Sequence, residues 1–255
     1  ESTIGRVLSD QVVVESNVVW DKEKRDIVER VTRRLDRMTL SDNRRRPAPS
    51  AEVQRALCDR IISTRLTDLP WTPSSTELRS RVAFLRREIG EPWPDWSDKS
   101  LVSSASEWLE PYLAGMTSMS DVATLDVATL LRSQLPWPEG SQLDELAPTR
   151  LELVSGRSIV IDYSSGVAEG TAPVVPIRVQ DLFGTREHPT IGGGRVKLVL
   201  QLLSPADRPI QITSDLPGFW SGSWADVKKE MAGRYPKHQW PDDPANADPK
   251  RLKDR

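Results

Sequence analysis

Residues 216–244 read LPGFWSGSWADVKKEMAGRYPKHQWPDDP and hold five of the chain's fifteen aromatic residues. Phe219, Trp220, Trp224, Tyr235 and Trp240 are interleaved there with Lys228, Lys229, Arg234, Lys237 and His238. Two readings compete. Aromatic faces beside cations suit a single-stranded nucleic acid, whose bases stack and whose phosphates pair. The same residues suit a core, with Trp and Tyr as anchors and the lysines on a wet helix face. Trp224, Val227 and Met231 fall on one side of a helix, which favours burial and leaves the basic residues as an outer surface. Ser223 is the expected N-cap of that helix, with Asp226 three residues on, and Gly233 its stop. Beyond it, PKHQWPDDPANADPKRLKDR carries four prolines and little periodicity. Such a tail orders only by lying on something else.

Upstream, alternation of apolar and polar residues predicts strands over 151–154, 158–163, 174–179, 197–203 and 210–213, separated by Gly- and Ser-rich turns. Before Pro148 the period is helical. Ser50 caps a face of Val53, Leu57 and Ile61. Thr72-Pro73 opens a helix carrying Leu78, Val82, Leu85 and Ile89 to a stop at Gly90. Ser97 caps a third helix with Leu101, Ala105, Trp108 and Tyr112, kinked or ended by Pro111 and finished near Gly115. Ser120 or Asp126 starts a fourth, with Leu125, Leu130, Leu131 and Leu135. At the start of the chain, β-branched residues 12–20 and the segment 27–39 flank the charged turn DKEKRD, predicting a hairpin followed by the basic turn NRRRPAP; a helix is the competing reading of 27–39, since Val31, Leu35 and Met38 also fit a 3.6-residue period.

Charge is segregated. Residues 30–46 carry seven arginines (Arg30, Arg33, Arg34, Arg37, Arg44, Arg45, Arg46) against Asp36 and Asp42, a net +5. Residues 91–185 carry fourteen acids against five bases, a net −9, and residues 228–255 eight bases against five acids, a net +3. A polyanionic partner therefore meets the ends of the chain and not its middle. Arginine pairs phosphates bidentately and stacks on bases, so the arginine run is a candidate nucleic-acid surface. The competing role is a charged strand edge that prevents aggregation.

Several chemistries are excluded. No G-x-x-x-x-G-K-[ST] occurs; Gly192–Lys197 (GGGRVK) lacks the spacing and precedes a strand, so it makes a turn and not a phosphate cradle. No DEAH-type box is present. Two histidines and one cysteine do not build a closed zinc site, so no metal and no catalytic residue is expected. His188 sits in a loop with no evident partner; His238 either meets a phosphate or pins the tail. Cys58, beside Leu57 and Ile61, reads as a small core residue. The N-terminus has neither the basic flank nor the apolar run of a signal peptide, and no apolar segment approaches the ~18 residues of a membrane span. A cytoplasmic location is expected. The chain has no initiator Met and opens in mid-pattern, as a fragment of something longer would.

The C-terminal text VLQLLSPADRPIQITSDLPGFWSGSWADVKKEMAGRYPKHQWPDDPANA, with RVAFLRREIG, LEPYLAGM, LPW, LDELAPTRLELVSGRSIVIDY, VVPIRVQDLFGT and IGGGRVKLVL before it, resembles the C-terminal region of bacterial HrpB-type ATP-dependent RNA helicases of the DEAH/RHA class. VVWDKEKRDIVERVTRRLDRMTL resembles part of the oligonucleotide-binding-fold (OB-fold) region of that family. The resemblance implies an accessory region following two motor domains, where ATP and Mg would bind; the motor motifs are absent from this chain, and no cofactor is expected in it. The expected fold is α+β: an OB-like β region over 1–48, a helical region over 49–148, and an antiparallel sheet with a terminal helix and Pro-rich tail over 149–255. Expected partners are single-stranded RNA or DNA and the helicase's own motor domains. The alternative is a module that docks on, or regulates, those motor domains or another protein.

Overall fold

A tight charged turn organises the first part of the chain. The Asp21 carboxylate accepts the backbone N–H groups of Glu23 at 2.9 Å and Lys24 at 3.1 Å, and Arg25 takes a left-handed φ of 52°. This reverses β1 (Val12–Asp21) onto β2 (Asp26–Leu35) in an unbroken antiparallel register from Val12↔Leu35 to Asp21↔Asp26. The computed structural model describes residues 12–164 and 171–249. The chain divides into two compact units, Glu1–Thr76 with Trp96–Gln134 and Glu77–Asp95 with Leu135–Arg255.

In the first unit the hairpin becomes a three-stranded meander, β1–β2–β3. The second strand does not run on to Thr39 as its pattern predicts. Asp36, at φ 51°, turns the chain, and β3 (Met38–Arg45) returns along β2. Asp tolerates the left-handed region better than most residues, which makes LDRM a turn. Arg44 and Arg45 therefore belong to a strand and not to a basic turn. An OB-fold needs five strands; this sheet supplies three among the described residues. Ile27 and Val28 are its buried end.

Four helices begin at expected caps, Ser50, Thr72, Ser97 and Asp126, whereas the expected start Ser120 lies inside a short helix capped by Ser118. Ser50 Oγ accepts from Val53 N at the start of α1 (Ala51–Ser63), which buries Val53, Leu57, Cys58 and Ile61. Thr72 Oγ1 accepts from Ser75 N–H at 3.2 Å before α2 (Pro73–Glu88), and Gly90 stands at φ 89° beyond its end. The third expected helix is broken. It divides into α3 (Asp98–Ser103), α4 (Ala105–Trp108) and a 3₁₀ turn at Glu110–Leu113. Ser104 returns its hydroxyl to Ser100 O at 2.9 Å, and Pro111 has no N–H to continue the ladder. Trp108 donates its indole N–H to Leu101 O at 2.9 Å inside the core. Short α5 (Met119–Val122) and α6 (Val127–Arg132) follow, capped by Ser118 and Asp126.

In the second unit α7 (Leu143–Leu146) precedes β4 (Arg150–Glu152), which pairs with β5 (Ser158–Val160). A single bridge, Asp162↔Val174, leads to β6 (Val174–Arg178). β7 (Thr190–Ile191) pairs with β8 (Val196–Lys197), and β9 (Val199–Leu203) lies between β10 (Pro209–Thr213) and β6. Every pairing is antiparallel except β6 with β9, which is parallel. Val175, Ile177, Leu200 and Leu202 alternate into the core beside Phe183 and Leu216. On α2, Phe84 meets Tyr163 edge to face at 5.4 Å. The buried Arg81 donates to the carbonyls of Ala147 (2.6 Å) and Leu143 (3.2 Å) and to Asp144 (2.5 Å).

Two helices end the unit. The first, α8 (Leu216–Ser221), is unannounced in the sequence because of its Pro217 and Gly218; Asp215 caps it by accepting Gly218 N–H. The second, α9 (Trp224–Arg234), differs from expectation at both ends. Ser223 is itself helical (φ −66°, ψ −16°) and makes no side-chain cap, and the helix passes Gly233 to end at Tyr235. No helix among the described residues is long and apolar enough to cross a membrane.

Candidate nucleic-acid interface

The strand register decides what the seven arginines do. Arg30 and Arg34 share one face of the sheet with Glu15, Asp42 and Arg44, while Glu29 and Arg33 share the other with Ser16 and Arg45. Arg30 grips Asp42 with Nε at 2.9 Å and Nη2 at 2.6 Å. Arg45 grips Glu29 at 2.8 and 2.9 Å, and Ser16 Oγ adds a third bond to that carboxylate at 2.6 Å. Arg45 and then the Ser16 hydroxyl pull Glu29 from an ordinary 4.5 down to about 2. Arg44 reaches Asp21 at 2.9 Å, whose carboxyl is only 2% exposed. Asp21 is held below the usual carboxylate range first by the Lys24 backbone N–H. Arg46 leaves the sheet for Thr117 Oγ1 (2.8 Å), Ser118 Oγ (3.5 Å) and Asp121 (3.1 Å), so it ties β3 to the start of α5.

Three arginines remain at the far end of the sheet. Arg34 stands 3.9 Å from Glu15, the outer limit of an ion pair. Arg33 and Arg37 are exposed and have no ion-pair partner among the described residues. Val14 and Met38, each 60% exposed, belong to the same end. At the opposite end an open concavity of about 350 Å³ is lined by Trp20, Val28, Arg30 and Arg44 among others. Both of its arginines are already engaged, and Arg60 lies 4.0 Å above the Trp20 ring.

The other five candidates lie in the second unit. Trp224 is the hub of an aromatic cluster, 5.7 Å from Phe183, 6.2 Å from Phe219, 5.5 Å from Trp220 and 5.9 Å from Trp240 between ring centroids. Each indole N–H in the cluster is taken by a backbone carbonyl: Trp220 by Thr185 (3.0 Å), Trp224 by Pro241 (2.9 Å), Trp240 by Tyr235 (3.0 Å). The tail is thereby laid back over α9, and Gly184 N–H donates to Pro244 O at 2.9 Å. These rings form a clasp and not an open stacking platform. Of the basic residues, Lys228 pairs with Asp242, and Arg234 with Glu230 at 3.1 Å. Lys229 and Lys237 are exposed without an ion-pair partner among the described residues, and His238 is exposed with its ring edge toward Tyr235.

One residue without a sequence signal proves central to this unit. His188 Nδ1 accepts the N–H of Leu216 at 3.0 Å, and Nε2 faces Leu198 O at 2.8 Å, which fixes the neutral tautomer with its proton on Nε2. Burial holds its pKa below the ordinary imidazole value. Its partners lie 10 and 28 residues away, so no local pattern announces them. No group of three or more His, Cys, Asp or Glu among the described residues is placed to hold a metal ion.

Residues 108–244 match the family model of the ATP-dependent helicase C-terminal region. The ATP-dependent RNA helicase HrpB of Escherichia coli (strain K12) is 37% identical over 243 residues, which is 94% of this chain and 30% of that protein. The crystal structure of E. coli DExH-box NTPase HrpB superposes with a TM-score of 0.78 at 35% identity, covering 98% of this chain and 31% of that one. A second, of Escherichia coli DEAH/RHA helicase HrpB, gives 0.67 at 33% identity over 90% and 29%. The chain thus spans about 30% of the length of the curated relative. Its α+β architecture and the resemblance carried by residues 199–247 agree with these matches. By sequence and by fold, the chain belongs to the HrpB-type family of ATP-dependent helicase C-terminal regions.

Proposed function

We propose that this chain is the accessory region of an ATP-dependent RNA helicase and extends the path of a single-stranded RNA past the motor domains. The observation that carries the reading is the far end of the three-stranded sheet. There Arg33, Arg34 and Arg37 project guanidinium groups that no carboxylate holds closer than 3.9 Å among the described residues. Arg30, Arg44, Arg45 and Arg46 stand behind them in internal pairs, positioning the strands. The outer surface of α9 and the tail, with Lys229, Lys237 and His238 exposed and Lys228 and Arg234 paired, is a second and weaker basic surface. ATP and Mg belong to motor domains outside this chain, which itself carries no nucleotide-binding motif.

Fluorescence anisotropy with a labelled single-stranded RNA, across a salt series, tests the proposal. Three neutralised phosphates predict a slope of about −2 in log K against log salt, at ~0.7 per phosphate, or roughly a 15-fold loss between 50 and 200 mM salt. Arg33→Ala and Arg37→Ala should each reduce the slope by about 0.7. No binding at low salt, or a slope untouched by both substitutions, refutes it. A second reading, docking on the motor domains or on another protein, is favoured by the burial of the aromatic clasp, which removes the stacking surface that an RNA site would use.

A further inference from the structure

Arg30 and Arg44 stand directly opposite each other on β2 and β3, on one face of the sheet. Like charges in that position repel. Each is held there by its own carboxylate, Arg30 by Asp42 and Arg44 by Asp21, and neither partner exhausts the guanidinium. Asp42 takes Nε and Nη2 of Arg30, which leaves Nη1; Asp21 takes Nη1 of Arg44, which leaves Nε and Nη2. The two side chains are still 48% and 46% exposed. Both line the concavity of about 350 Å³ at this end of the sheet, and Lys22 lines it beside them. Lys22 is exposed and has no ion-pair partner among the described residues. Of the lining acids, Asp21 is filled by Arg44 and two backbone N–H groups, which leaves Glu23 alone unpaired among the described residues. Val19 and Val28, cross-strand neighbours on the same face, supply an apolar wall. The volume lies at the small end of the range for small-molecule sites.

We propose that this concavity is a binding site for a phosphate monoester, the 5′-phosphate group of a nucleotide, with Arg30, Arg44 and Lys22 as its three cations. The donors select the ligand. Guanidinium groups match phosphate oxygens bidentately, and a monoester offers three such oxygens and close to two charges at pH 7. A carboxylate offers two oxygens and one charge, and a phosphodiester inside a strand also carries one charge. Asp21 and Asp42 orient the guanidinium groups before the ligand arrives, so little freedom is lost on binding. The apolar wall of Val19 and Val28 receives the nucleoside. The same group occurs on a free mononucleotide and at the 5′ end of an RNA strand. Neither source depends on the strand path proposed for Arg33 and Arg37.

Two pairs of probes test this on the chain: adenosine 5′-monophosphate against adenosine by isothermal titration calorimetry, and one labelled RNA with a 5′-phosphate against the same RNA with a 5′-hydroxyl by anisotropy. The monophosphate should bind at least about tenfold more tightly than adenosine, since a single charge-assisted hydrogen bond is worth that much. Its affinity should fall as pH is lowered through about 6, where the monoester takes up its second proton. Lys22→Ala breaks no pairing in the fold; it should weaken the monophosphate roughly tenfold and leave the melting temperature unchanged. Arg30→Gln should weaken it similarly, with partial rescue by Arg30→Lys. If the natural ligand is a strand end, the 5′-phosphate RNA outbinds its 5′-hydroxyl twin by at least about tenfold; if it is a free nucleotide, the two RNAs bind alike. Equal binding of adenosine and its monophosphate overturns the proposal, as does a folded Lys22→Ala chain that holds the monophosphate as tightly as the parent.

Discussion

Replacing Trp224 by Ala separates a clasp from a base-stacking platform. The side chain is 2% exposed, touches four other rings and donates its indole N–H to Pro241 O. Removing such a residue costs about 3–5 kcal/mol, because transfer and cavity terms add. The unit that contains it has about 140 residues. At ~2.1 cal/mol/K per residue, each kcal/mol lowers the melting temperature by about 3 °C, so Trp224→Ala should melt roughly 10–17 °C earlier by calorimetry. Trp224→Phe keeps a ring and loses the bond to Pro241, so about 1–2 kcal/mol and 3–7 °C are expected. Limited proteolysis should show the tail beyond Tyr235 cut sooner in both variants. A Trp224→Ala protein that melts within about 3 °C of the parent while binding RNA tenfold more weakly would refute the clasp.

Three further outcomes follow from the titrating groups. Glu29 is depressed to about 2 by Arg45, so the stability it contributes is present above its ordinary 4.5 and is lost as pH falls from there toward 2; Arg45→Gln should flatten that limb of an acid-unfolding curve followed by circular dichroism. His188 must stay neutral to accept Leu216 N–H, and its folded pKa lies below the ordinary value, so stability should be complete above about pH 6.5 and decline as acid is added until the folded group itself protonates. His188→Gln, whose amide can both accept and donate, should remove that pH dependence in urea titrations. Burial, then the charges of Glu110 and Asp59, push the Cys58 thiol up to about 11, so a thiol reagent at pH 8 should label it only as fast as the protein unfolds.

Helix starts were the most legible part of the fold because their signals are local. Ser50, Thr72-Pro73, Ser97 and Gly90 each act through backbone groups within about a turn, and the structure uses all four as the sequence implies. What depended on distance was not legible. β3 is hidden because Val31, Leu35 and Met38 continue a plausible period across Asp36, where the chain in fact reverses. The parallel pairing of β6 with β9 joins segments more than twenty residues apart, and no alternation pattern encodes a direction. The burial of Trp224 and Met231 was readable from their spacing, although Val227 between them is only half-buried. The carbonyls of Thr185, Pro241 and Tyr235 that receive the three indoles were not, since any backbone offers the same group.

The arginine run shows most clearly how a count of charge differs from a field. Along the sequence, residues 30–46 sum to +5. Folding brings Asp21, Glu29 and Asp121 to Arg44, Arg45 and Arg46, and three of those charges are answered by acids that a local window assigns elsewhere or weighs separately. The remaining positive potential then lies at the β2–β3 turn, which is also where Val14 and Met38 are uncovered. Paired arginines are costly to strip of their partners, because each would leave a carboxylate such as the 2%-exposed Asp21 without its counter-ion. Unpaired ones at a strand end lose only water when a phosphate arrives. On the proposed reading, an incoming phosphate meets the lowest cost of desolvation at Arg33 and Arg37, and the paired arginines hold the strand that presents them.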